Sequence, residues 1–140
     1  MGRILSLDLG KKRTGVAVTD PLQLIANGLA TVPTRMVLDF LKDYVQREKV
    51  ERIVVGFPRQ TSGELSESMA YIRPVVARLK KALPEMPIEY VDERYTSVLA
   101  HQAMIDGGLR KKARMNKELV DEISATIILQ TYMEMRRMKK

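Results

Sequence analysis

Two apolar runs separated by four polar residues constrain this chain more than any other feature. Ile4-Leu5-Ser6-Leu7-Asp8-Leu9 closes on Gly10, and Gly15-Val16-Ala17-Val18-Thr19 resumes after Lys11, Lys12, Arg13 and Thr14. Each run has the length and composition of a buried strand. A connection this short leaves only antiparallel pairing, because a parallel crossover takes a dozen residues or more. A third strand is expected through Leu24 to Val32, with Asn27-Gly28 marking a bulge or turn inside it. The chain therefore opens as a meander.

The period then changes. Thr34 is expected to cap a helix carrying Val37, Phe40, Leu41, Tyr44 and Val45 on its inner face. Ile53 to Phe57 reads as a strand ended by Pro58, and Pro58 to Ser66 as a polar loop. A helix follows to about Leu83, with Met69, Ile72, Val76, Leu79 and Leu83 inward and Pro74 kinking it or delaying its start. Ile88 to Val91 is a fifth strand, and Thr96 caps a helix that stops at Gly107-Gly108. A basic connector, residues 109–117, leads to a last helix from about Asn116 to Met138. The order β-β-β-α-β-α-β-α-α implies an α/β fold: a mixed five-stranded sheet, antiparallel across its first three strands and then parallel, flanked by helices. No repeat or long linker divides residues 1–140, so one domain is expected.

Composition narrows the chemistry. With 45% hydrophobic residues the chain can bury a core. It has no cysteine, which excludes disulfides, thiolate catalysis and Cys-ligated metals, and a single histidine, which excludes a multi-His site. Against 17 acidic residues stand 24 Lys and Arg, a net charge of +7 that favours a polyanionic partner such as nucleic acid or an anionic membrane. No apolar run reaches the roughly 18 residues of a membrane span. The opening MGRILSLDLG meets an aspartate too early for a signal peptide, so a cytoplasmic protein is expected.

Three acidic positions stand out. Asp8 shares a strand face with Ile4 and Ser6, where a carboxylate is costly unless hydrogen-bonded, paired or bound to a metal. A turn aspartate serving the backbone donors of residues 11–14 is an equally good local account. Asp92-Glu93 ends the fifth strand; ligands of open α/β sheets favour the crevice beyond such carboxyl ends. Only one of that pair can share the Asp8 face, and spacing alone leaves either open, as it leaves a simple helix-cap role. Asp121 heads the stripe Ala125, Ile128, Tyr132 and Met135 on the buried side of the last helix. The helix N-terminus offers a partial alternative reason for an acid there.

Acids from two strands and a helix would make an all-oxygen site suited to Mg²⁺ or Mn²⁺. Two such ions about 4 Å apart suit phosphodiester hydrolysis. Lys12, Arg13, Arg94 and the run containing Lys111, Lys112, Arg114 and Lys117 are candidates for holding backbone phosphates, with Lys11 and Arg110 beside them.

Four stretches, taken together, resemble a known family: Asp8-Leu-Gly-Lys-Lys-Arg-Thr-Gly-Val-Ala-Val-Thr-Asp20, Val55-Gly-Phe-Pro58, Asp92-Glu-Arg-Tyr-Thr-Ser97 and Val120-Asp-Glu-Ile-Ser-Ala-Thr-Ile-Ile-Leu-Gln130. In order and spacing they are similar to the YqgF family, also called RuvX, of pre-16S rRNA nucleases related to Holliday-junction resolvases. The resemblance implies a ribonuclease H-like fold, a cytoplasmic role in maturing the 5′ end of 16S rRNA, and a divalent-metal site formed by Asp8, Glu93 and Asp121. It is the family pattern that selects Glu93 over Asp92. Ser124-Ala125 stands where the family commonly has Ala-Ala, and Phe57 where it commonly has Leu; both are packing changes that leave the acids intact.

Other features carry less. Asp8-x-Gly also resembles the phosphate loop of sugar kinases, which need a second domain that 140 residues cannot supply. Gly63 lacks a following Gly-Lys-Ser or Gly-Lys-Thr, so no P-loop is present. His101 is given no catalytic role. With two Phe and five Tyr, binding should rest on phosphate more than on base stacking. The leading expectation is a nuclease acting on structured precursor rRNA as a monomer or homodimer. Its competitors are a dimeric resolvase of branched DNA and a non-catalytic nucleic-acid-binding factor in transcription or ribosome assembly.

Overall fold

Strand β1 (Arg3–Leu9) lies at the centre of a five-stranded sheet of order β3-β2-β1-β4-β5. The computed structural model describes residues 2–57, 69–92 and 117–138, with backbone alone for residues 92, 117–121 and 137–138. β2 (Arg13–Thr19) and β3 (Ala26–Pro33) extend the sheet antiparallel on one side of β1. β4 (Val50–Phe57) and β5 (Ile88–Asp92) run parallel to β1 on the other side. The mixed pairing is the one expected from the short first connection and the later helical crossovers.

Side-chain alternation sends each strand's apolar residues into two cores. Leu5, Leu7, Val16, Val18, Ile53 and Val55 pack under α1 (Val37–Arg47) and α2 (Met69–Ala82). Ile4, Ala17, Val54 and Val91 meet Ala125, Ile128, Leu129, Tyr132 and Met133 of α3 (Lys117–Met138) on the opposite face. The burial of both faces accounts for the nearly unbroken apolar runs in β1 and β4. Pro74 lies inside α2, whose inward residues Met69, Ile72, Val76 and Leu79 are nevertheless buried as expected.

Two contacts fix the direction of α3 across the sheet. The Ser6 hydroxyl donates to the Ala125 carbonyl at 2.6 Å. Further along the helix, the Tyr132 hydroxyl meets Arg52, which pairs with Ile4 in the β1–β4 ladder. Moving toward the amino end of α3 therefore means moving toward the carboxyl end of β1.

Several expectations are corrected. Thr34 caps no helix: it opens a 3-10 turn (Thr34–Met36), and Met36 precedes α1 without a side-chain cap. Its hydroxyl is engaged by the β1–β2 turn instead. β3 begins at Ala26, because Leu22, Leu24 and Ile25 belong to a turn whose N–H groups bond the Asp20 carboxylate. The expected bulge falls beside Asn27-Gly28: the pairing steps from Val16↔Ala30 to Ala17↔Gly28, leaving Leu29 extra. β2 starts at Arg13, and Thr14, expected in the polar turn, is fully buried. Met135 leaves the α3 stripe and is exposed, since α3 has by then passed Arg52 and Glu89 near the amino ends of β4 and β5. The loop from Pro58 to Ser66, the Thr96 helix, His101 and connector residues 109–116 lie outside the described residues.

Candidate active site

Asp8 is half-buried on the α3 side of β1, one residue from the strand's carboxyl end. Its antiparallel partner is Gly15. One step past the Leu7↔Val55 pairing it lies alongside Gly56, which in turn pairs with Val91. Neither neighbouring strand thus puts a side chain beside this carboxylate. Val91 belongs to the core under α3, so Asp8, Gly15, Gly56 and Val91 form one row on one face. Asp8 does take part in an interaction of its own within the fold.

The turn after Asp8 carries the first basic cluster. Lys11 and Lys12 are exposed and Arg13 is half-buried. The Gly10 N–H donates to the Arg13 carbonyl at 2.9 Å, and a Cβ at position 10 would lie 2.4 Å from that oxygen, so only glycine fits. Glu93, Arg94, Lys111, Lys112 and Arg114 lie outside the described residues, and the side chains of Asp92, Lys117 and Asp121 are not described. Position 121 itself lies within α3, one turn before Ala125. Among the described residues, no group of three His, Cys, Asp or Glu side chains is placed to hold a metal ion.

The other end of the sheet holds a polar knot. The Arg52 guanidinium donates to Glu89 and to the Tyr132 hydroxyl, both at 2.7 Å, and Tyr132 donates to the same Glu89 oxygen. The Tyr132 hydrogen bond, with help from Arg52, holds the Glu89 carboxyl below the ordinary carboxylate range. Burial pushes the Tyr132 phenol up. Arg136 stacks over the Tyr132 ring. Sequence patterning missed this knot because Arg52 and Glu89 look like ordinary surface charges at strand starts. It missed Ser6, Thr14 and Thr34 as well, whose roles follow from partners distant in sequence.

A family model described as "RuvX: Holliday junction resolvase" matches residues 2–135. The chain belongs to the RuvX family. A relative from Phocaeicola vulgatus, named "Putative pre-16S rRNA nuclease", is 64% identical to this RuvX chain over 98% of it and 99% of the relative. A Bacteroides fragilis protein of the same name is 61% identical over 99% of this chain and 100% of its own. In three dimensions this RuvX chain is similar to Thermus thermophilus RuvC, solved in complex with a Holliday junction substrate. That match has a TM-score of 0.58 at 15% identity and covers 96% of each chain. The shared architecture is ribonuclease H-like. Among the described residues no helix is long and apolar enough to cross a membrane.

Proposed function

We propose that this RuvX-family chain is a divalent-metal-dependent nuclease that hydrolyses phosphodiester bonds in structured precursor rRNA, maturing the 5′ end of 16S rRNA in the cytoplasm. Near-full-length kinship to relatives named for that activity supports the reading. The structural observation that carries it is Asp8, a half-buried carboxylate at the carboxyl end of the central strand, where parallel β1, β4 and β5 all finish.

Asp8, Glu93 and Asp121 are the proposed acids. Val91, the last residue of β5 whose side chain is described, packs on the Asp8 face. The choice of Glu93 over Asp92 rests on the family pattern. For position 121, four residues of helix back from Ala125 span about 6 Å. Two residues of strand forward from Ser6 to Asp8 span about 7 Å. Because α3 runs antiparallel to β1, the two steps go the same way.

The donor set is three carboxylates without sulfur or imidazole, which fits a hard cation such as Mg²⁺ or Mn²⁺. When bound, such ions activate water and stabilise the leaving oxygen of a phosphodiester. The chain's own groups then bind and orient the substrate: Lys12, Arg13, Arg94, Lys111, Lys112, Arg114 and Lys117 hold backbone phosphates, while Gly15 and Gly56 keep neighbouring side chains from crowding Asp8.

The test is cleavage of a precursor 16S fragment by purified protein with Mg²⁺ or Mn²⁺. Asp8→Asn should abolish cutting while the protein still melts cooperatively. Equal cutting by wild type and variant overturns the reading. Branched DNA is the second substrate class, favoured by the family description and by the fold shared with RuvC. Symmetric cutting of a four-way junction by a homodimer, with no cleavage of the RNA, would select it.

A further inference from the structure

Thr34 stands far from Asp8 in sequence, yet its hydrogen bonds converge on the turn that leaves the Asp8 strand. Its hydroxyl donates to the Gly10 carbonyl at 2.7 Å. The same oxygen lies 2.9 Å from the Thr14 hydroxyl. Thr34 has one hydroxyl proton and Gly10 can only accept it, so Thr14 must be the donor in that second contact. The Thr34 N–H donates to the Lys12 carbonyl at 2.9 Å. One residue therefore grips the turn at its first position, its third and the strand beyond. Thr14 is fully buried, and a hydroxyl buried without a partner is costly, which holds Thr34 to this role. The remaining bond, from the Gly10 N–H to the Arg13 carbonyl, closes the turn upon itself.

The residues displayed by this arrangement are Lys11 and Lys12, both exposed, three and four residues after Asp8. An unconstrained lysine pair loses conformational entropy when it engages phosphate; a turn already fixed at both ends loses less. We infer that Thr34 is a positioning residue, setting the Lys11-Lys12 turn to receive a backbone phosphate of the substrate next to Asp8. This inference rests on the nucleic-acid reading above.

The test uses a fluorescein-labelled hairpin from the precursor 16S leader, bound in EDTA and followed by anisotropy across a salt series. Thr34→Val should weaken binding about fivefold, the equivalent of one lost hydrogen bond. The log-log salt slope should become shallower by about 1, as for one lost phosphate contact. Thr34→Ser, which keeps the hydroxyl, should restore both. In the Lys11→Ala/Lys12→Ala background the Thr34→Val effect should vanish, which a merely structural role would not produce. In cleavage assays the loss should appear in KM, with kcat within about twofold. Thr34→Ala takes over if the valine variant does not fold. If wild type binds the hairpin and removing the hydroxyl changes neither affinity nor slope, the positioning role is overturned alone. If wild type binds no RNA, the nucleic-acid reading falls with it.

Discussion

Glu89 shows how one side chain couples pH to stability. Its carboxyl is held below the ordinary range, first by the Tyr132 hydroxyl and then by Arg52. A group with a depressed folded-state pKa contributes stability that is fully present above its unfolded value and lost as pH falls through the folded one. The melting temperature of wild type should therefore exceed that of Glu89→Gln at neutral pH. The gap should close as pH drops below the usual carboxylate range of about 4. A gap independent of pH would show that the carboxylate charge is not what Tyr132 and Arg52 stabilise. Asp20 belongs to the same class: N–H groups of Ile25, Leu24 and Leu22 lower its pKa and fix the turn before β3. Asp8 was legible as an oddity in the sequence because a carboxylate interrupts an apolar strand. Thr14 and Thr34 were not, since a threonine in a turn and a threonine before a helix each have a sufficient local explanation.

Helix α3 meets the sheet through a stripe that includes fully buried Ala125, Ile128 and Leu129. Ile128→Ala should cost about 2–5 kcal/mol in denaturant unfolding, the range for truncating a buried aliphatic side chain. Tyr132→Phe should cost less, about 1–2 kcal/mol, because the ring stays packed while Glu89 and Arg52 each lose one hydrogen bond. Measured against each other, these variants separate packing from the polar knot. A Tyr132→Phe loss as large as that of Ile128→Ala would mean that polar contacts dominate the docking of α3. The helix's existence was readable from its period; its final turn was not. Met135 follows the same spacing as Tyr132 but emerges into solvent, because sequence periodicity carries no information on where the underlying sheet stops. The start of β3 departs from the apolar pattern for a similar reason: Leu24 and Ile25 are apolar, yet the Asp20 carboxylate holds their backbone in a turn and leaves both more than 60% exposed.

For the molecule as a whole, the meander followed by parallel strands could be read from connection lengths, and the two faces of β1 from its alternation. What could not be read was which face each helix covers. That took Ile4, Val54 and Val91 meeting α3 in one core. The net charge of +7 predicts binding to RNA that weakens steeply with salt. Anisotropy with a labelled precursor hairpin should give a steeply negative slope of log affinity on log salt, and a flat dependence would argue for recognition without phosphate. The knot of Arg52, Glu89 and Tyr132 sits near the strand beginnings, while Asp8 sits at a strand finish. Anchorage of the long helix and the proposed chemistry thus occupy opposite poles. A chain built this way can be hardened or softened against heat by substitutions at one pole while turnover at the other is left alone.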